Sequence, residues 1–146
     1  MNRVLACISA SACAIVLAAC GEREEPEITS MPETEFEITG SWRGQLTQQG
    51  MKPFTVRATI ASLERFKENV VTYSGLDCTG TWEYLGPSET AYRFREVIDR
   101  GRSARCKGTG TVTLTPLADD QVAYEFRGGG VVSKGDLQRF SPAKGG

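Results

Sequence analysis

Phe54-Thr55-Val56-Arg57-Ala58-Thr59-Ile60 alternates apolar and polar residues without a break, which is the period of a β-strand with one face in a core and the other in water. A helix would scatter Phe54, Val56, Ala58 and Ile60 around its axis, whereas a strand gathers them on one side. The same alternation recurs along the chain on both sides of this stretch. Trp42, Gly44 and Leu46 share a face of a preceding strand, and Val71 and Tyr73 mark the strand that follows. Trp82 and Tyr84, then Tyr92, Phe94 and Ile98, then Val112 and Leu114 mark three more. Val122, Tyr124 and Phe126 mark a seventh strand and Leu137 an eighth.

Between these runs stand Gly50, Ser74-Gly75, Gly86-Pro87-Ser88, Arg100-Gly101, Asp119-Asp120 and Gly128-Gly129-Gly130, residues that supply turn geometry. Connections this short join antiparallel neighbours. The sequence therefore predicts an all-β antiparallel meander of about eight strands over residues 38–141. A meander leaves two open edges unless it closes, so a lipocalin-like barrel is the first expectation and a two-sheet sandwich the second. Between Ser62 and Asn69 the pattern loosens: Leu63, Phe66 and Val70 have near-helical spacing, so one helical turn could stand there in place of a tight hairpin.

Upstream of the strands, Arg3 is followed by an apolar stretch from Val4 to Val16 and then by Leu17-Ala18-Ala19-Cys20. A basic start, a short apolar segment and small residues form an export leader. The stretch is short for a membrane span, which takes about 20 residues. Leu17-Ala18-Ala19-Cys20 resembles the lipobox of bacterial lipoproteins. The resemblance implies a signal peptide over residues 1–19, cleavage before Cys20, and acylation of the Cys20 sulfur and of its new amino group. Gly21 rather than aspartate follows the cysteine, so the expected address is the periplasmic face of the outer membrane in a Gram-negative cell, and otherwise the outer face of the plasma membrane.

From Gly21 to Glu37 seven acids stand against Arg23 alone, with Pro26 and Pro32 interrupting any period. Such a segment cannot bury a core and repels itself, so residues 20–37 read as a lipidated, disordered acidic tether. From Ile38 onward fifteen basic residues face eleven acidic ones, so the net charge of −1 conceals an acidic tether and a basic domain. Residues 142–146 read as a disordered tail.

The chain has five cysteines and no histidine. Without histidine the common triads and imidazole metal sites are excluded, and a non-enzymatic chain without cofactor or metal is expected. Cys7 and Cys13 leave with the leader and Cys20 carries lipid, so Cys78 and Cys106 remain. In an oxidising compartment two thiols suggest one disulfide, which would close a loop of about 29 residues and contribute roughly 3 to 4 kcal/mol. Two unpaired or metal-binding thiols are the alternative.

Further motifs lie between Tyr73 and Arg139. They are Tyr73-Ser74-Gly75-Leu76-Asp77-Cys78-Thr79-Gly80, Phe94-Arg95-Glu96-Val97-Ile98-Asp99-Arg100-Gly101 with Cys106, Gly110-Thr111-Val112-Thr113-Leu114, Tyr124-Glu125-Phe126, and Gly135-Asp136-Leu137-Gln138-Arg139. Their order is similar to that of a small extracytoplasmic β domain of actinobacterial membrane proteins, including serine/threonine kinase tails, and of lipoproteins. The resemblance covers about half the chain. It implies an all-β fold and pairing of Cys78 with Cys106, and it brings no ligand or catalytic residue. Leu63 to Asn69 departs from the glycine-rich turn of that pattern.

Two clusters carry functional expectations. Glu96 shares the inward face of Tyr92, Phe94 and Ile98, and a buried carboxylate needs a partner. Arg139 follows Leu137 by two, so a buried Glu96–Arg139 ion pair is the structural reading. The functional reading makes Glu96 the polar anchor of a ligand cavity, within an aromatic set that reads otherwise as ordinary core. The second cluster is the loop bearing Arg100, Arg102, Arg105 and Lys107, extended by Arg93 and Arg95 on the outward face of the strand that feeds it. Arginine forks suit phosphate or carboxylate, so this loop is a candidate site for a polyanionic envelope component or acidic protein, and otherwise a solvated loop. Nucleic acid is excluded by location. The chain thus reads as a membrane-anchored binding or interaction module, with an inhibitor of an envelope enzyme or a small-ligand carrier as the alternatives.

Overall fold

Eight strands form where the alternation places them: β1 (Gly40–Gln48), β2 (Phe54–Ile60), β3 (Val70–Ser74), β4 (Cys78–Ser88), β5 (Ala91–Arg100), β6 (Thr109–Ala118), β7 (Gln121–Gly128) and β8 (Val131–Arg139). The computed structural model describes residues 35–101, 106 and 108–142, apart from the side chain of Phe66. The expected leader, Cys20, most of the expected acidic tether, Arg102, Arg105, Lys107 and residues 143–146 lie outside the described residues. Each strand pairs antiparallel with the next and β8 pairs with β1, so the sheet closes into a barrel. Closure, not a sandwich, solves the edge problem here.

Register brings the predicted inward residues together. Trp42 stands opposite Ala58 on β2 and Arg139 on β8, Trp82 opposite Glu96, and Phe94 opposite Val112. Trp42, Trp82 and Phe94 are fully buried and fill the barrel with Leu46, Val56, Val71, Leu114, Val122 and Leu137. Closure depends on strands that approach closely where they coil. At Gly44 an added Cβ would come within 2.1 Å of the Asp136 carbonyl oxygen, and at Gly135 within 2.2 Å of that of Gln45. Both lie in the β1–β8 seam, so glycine permits the last strand to meet the first. Bulges at Leu85 and Leu117 leave these two residues unpaired in the ladder and exposed.

The β2–β3 connection contains a single 3₁₀ turn, Phe66–Glu68, so the loosened periodicity there marks a helical turn within an eight-stranded fold. Asn69 organises it. Its Oδ1 accepts from the Ala61 and Ser62 amides at 2.9 and 3.1 Å, and its Nδ2 donates to the Ser62 and Trp82 carbonyls at 2.7 and 3.1 Å. The side chain therefore substitutes for the ladder that the chain leaves as it turns out of the sheet.

The ordered barrel reaches further towards the N-terminus than composition suggests. Ile38 is buried, and the Phe36 ring lies 6.1 Å from Trp42 and 6.2 Å from Tyr92. Tyr92 Oη donates to the Phe36 carbonyl at 2.7 Å and Trp42 Nε1 to the Ile38 carbonyl at 2.9 Å. Phe36 and Glu37, placed in the tether by charge counting, belong instead to a strap across one end of the barrel. The opposite end carries the turns β1–β2, β3–β4, β5–β6 and β7–β8 and the Cys78–Cys106 disulfide, with Cα atoms 6.6 Å apart. That end is the mouth described next.

Candidate functional site

Glu96 sits mid-strand on β5 and is 3 % exposed. Alternation directs it into the barrel, where its Oε2 accepts from Trp82 Nε1 at 2.8 Å and from Tyr73 Oη. Tyr73 and Tyr124 hydroxyls lie 2.9 Å apart. A phenol has one proton, and that of Tyr73 goes to Glu96, so the Tyr124 hydroxyl donates to the Tyr73 oxygen. The three donors thus run in one direction, towards Oε2. No ion pair or hydrogen bond of the described residues engages Oε1 of Glu96.

Burial raises the Glu96 carboxyl above its ordinary value, and the bonds from Trp82 and Tyr73 oppose this by favouring the charged form. Burial also pushes the Tyr73 and Tyr124 phenols well above their ordinary range, reinforced by the charge of Glu96. Both phenols therefore remain protonated in the physiological range, and Glu96 alone of the three has a reachable charge change.

A cavity lies above this cluster at the disulfide mouth. Gln48, Phe54, Tyr73, Leu76, Glu96 and Tyr124 are among its lining residues, and Cys106, Phe126, Val131 and Ser133 complete the rim. Its interior volume is about 20 Å³, and the concavity with its open mouth is about 310 Å³. The interior has room for about one water-sized group. The barrel is filled below it by a continuous column of rings: Trp82 lies 5.5 Å from Phe94 and 6.2 Å from Tyr124, and Tyr84 links Phe94 to Tyr92 at 5.4 and 6.3 Å. This is a packed barrel with a small polar-floored recess, without the deep chamber of a carrier for large ligands.

The expected Glu96–Arg139 ion pair is replaced by other partners. Both residues have inward parity, but Arg139 stands opposite Trp42 at the strapped end, whereas Glu96 faces Trp82 and the recess. The Arg139 guanidinium stacks 4.4 Å from the Trp42 ring centroid, donates to the Thr39 carbonyl at 2.7 Å and also donates to that of Glu37. Shared parity places side chains on one face of the sheet without placing them at one height in the barrel.

The structure also divides the cationic cluster. Arg93 and Arg95 are exposed on the outer face of β5, as alternation predicts, but Arg95 pairs with Glu83 across the β4–β5 ladder. Arg100 ends β5 in an exposed position beside the mouth. Arg102, Arg105 and Lys107 lie outside the described residues. Two described residues next to them are held: Cys106 is bonded to Cys78, and an added Cβ at Gly101 would come within 2.1 Å of the Asp77 carbonyl oxygen, so only glycine allows this approach.

Sequence reasoning singled out Glu96 and assigned its partner to the wrong strand. Trp82, Tyr73 and Tyr124 were legible as inward aromatics, and a buried phenol or indole needs a polar partner. That rule pairs them with the one inward carboxylate, but choosing among them needs the register. Gln48 and Ser133, bonded to each other at 2.7 Å on the rim, carried no signal in the sequence. The chain matches no protein-family model and none of the curated proteins.

Proposed function

We propose that this chain is an envelope lipoprotein, processed and acylated at Cys20, whose barrel is a non-enzymatic binding module held off the membrane by the acidic tether. Its binding end is the disulfide mouth. The observation that carries this reading is Glu96: a carboxyl buried to 3 % exposure that lines a cavity, with both of its donors among the described residues on one oxygen. Burying a carboxylate costs stability even when it is hydrogen-bonded, and an apolar residue of similar size serves a filled core better. The recess is therefore worth its destabilisation only if something enters it. The loop bearing Arg100, Arg102, Arg105 and Lys107, anchored beside the mouth, is an accessory contact for anionic envelope material, and its contribution weakens as salt rises because exposed charges are screened over about 8 Å.

The test is copurification of bound small molecules with the full chain extracted in detergent from its native envelope. Val131→Trp, at the partly exposed rim, should close the mouth and strip a species that both the native chain and Ser88→Trp, altered at the other end of the barrel, retain. Equal retention by all three chains overturns the assignment of the mouth.

A further inference from the structure

The geometry points to a primary alkylammonium group as what the mouth recognises, its nitrogen seated against Glu96 Oε1 and its methylene stem running out between the apolar walls. This rests on the mouth being the binding end, and it follows from hydrogen-bond accounting at the cavity floor. Among the described residues, every donor of the floor cluster is engaged. Trp82 N–H and Tyr73 O–H go to Glu96 Oε2, and Tyr124 O–H goes to Tyr73. At the rim Ser133 O–H goes to Gln48 Oε1 at 2.7 Å, and the Gln48 amide donates to Met51 Sδ at 2.9 Å. What remains at the floor is acceptors, Glu96 Oε1 and the remaining lone pair of Tyr124 Oη, and at the rim stand those of Ser133 Oγ beside the second N–H of Gln48. A ligand group that satisfies the floor must be all donor.

An ammonium carries three donors and no acceptor, and its compact head is comparable in size to a water molecule. It matches both the floor acceptors and an interior volume of about 20 Å³. A carboxylate or phosphate would set acceptor against acceptor. The charge balances as well, since Glu96 is the one charged residue among the described residues lining the cavity. Above the floor, Phe54, Leu76, Phe126 and Val131 surround the open mouth and would cover an unbranched stem. The same chemistry is presented by a free alkylamine and by a lysine side chain.

The chain provides its own two reporters. It has two tryptophans, one at each end of the filled barrel: the Trp82 indole N–H binds Glu96, and the Trp42 indole N–H binds Ile38 in the strap. The ¹⁵N–¹H spectrum of the full chain in detergent at pH 8 is followed while n-butylammonium chloride, sodium butyrate, n-butanol or Nα-acetyl-lysine-N-methylamide is added. Butylammonium should shift the Trp82 indole resonance saturably and leave that of Trp42 in place, with butyrate and butanol inactive. A matching response to the lysine derivative identifies a lysine side chain as an acceptable source, and its absence restricts the site to free amines, both within the proposal. Glu96→Gln keeps an acceptor for Trp82 and Tyr73 while turning an amide donor into the cavity, and should weaken butylammonium at least tenfold. If that variant fails to fold, Tyr124→Phe, which removes one acceptor, should weaken it several-fold. A Trp82 shift with butyrate or butanol but none with butylammonium overturns the ammonium assignment and leaves the mouth as a binding end. Silence with all four probes overturns both.

Discussion

Replacing Asn69 by alanine should destabilise the barrel far more than a single surface-loop substitution does. Asn69 is fully buried, although it adjoins an exposed helical turn. Its amide makes four hydrogen bonds, at 2.9, 3.1, 2.7 and 3.1 Å, joining the end of β2 to Trp82 on β4. A hydrogen bond contributes a net of about 1 kcal/mol, and a buried group left without its partner costs about 1 to 3 kcal/mol. Ala61 and Ser62 stand near water, which can replace three of the bonds in part, whereas the Trp82 carbonyl is sealed. The loss should be about 4 kcal/mol, a large share of the 5 to 15 kcal/mol typical of a domain. At about 4 to 8 °C per kcal/mol, Tm should fall by roughly 15 to 30 °C. Urea unfolding of the oxidised chain, followed by tryptophan fluorescence, should show a lower midpoint at an unchanged slope. Asn69→Asp sharpens the test, because it keeps the bonds from the Ala61 and Ser62 amides but points an oxygen at two carbonyls. Its buried acid would titrate above the unfolded value of about 3.9, so its stability should be highest below that pH and fall as pH rises through the folded value. A loss below about 1 kcal/mol for Asn69→Ala would show that water satisfies all four partners and that the amide does not hold this corner.

The carboxyl of Glu96 titrates above 4.5 in the fold, so the folded state binds its proton more tightly than the unfolded chain does. Stability attributable to it should be complete below pH 4.5 and decline as pH rises through the folded value; Glu96→Gln should flatten this part of the pH–stability curve, and identical curves would contradict it. Arg139→Met should loosen the strap by about 1 to 3 kcal/mol, since a cation–π contact and two charge-assisted bonds are lost. Faster hydrogen exchange at the Trp42 indole, with Trp82 unchanged, would report this locally, and unchanged exchange would rule it out. Reduction of Cys78–Cys106, which spans 28 residues, should lower unfolding free energy by roughly 3 to 4 kcal/mol, as read from denaturation with and without reductant. Cys20→Ser should abolish fatty-acid labelling of the chain and leave an unprocessed precursor, and persistent labelling would remove the lipoprotein assignment.

The strands were legible because their buried face is written directly in the order of residues. A residue two positions from Phe54 or Tyr124 lies on the same side of the sheet whatever surrounds it, and the barrel confirms this for Val56, Ala58, Ile60, Val122 and Phe126. The turn at Phe66–Glu68 was visible as a loss of that period, but the role of Asn69 was not. Its partners lie eight residues before and thirteen after it, and no local pattern encodes them. The strap at Phe36 was obscured by charge: a single aromatic in an acidic run reads as tether until Trp42 and Tyr92 are brought beneath it.

By itself the sequence determined which residues face inward and where the chain turns, and it pointed to the Cys78–Cys106 bond that the structure contains, because alternation and turn chemistry are written along the chain. Tertiary structure alone decided that the meander closes, that Arg139 caps Trp42 rather than pairing with Glu96, and that Glu96 meets Tyr73 and Trp82 at the floor of a recess. Alternation specifies the face of a sheet but not the height of a residue within a barrel. That height is set by the register of strands brought together by closure and by glycines such as Gly44 and Gly135, where β1 and β8 approach too closely for any side chain.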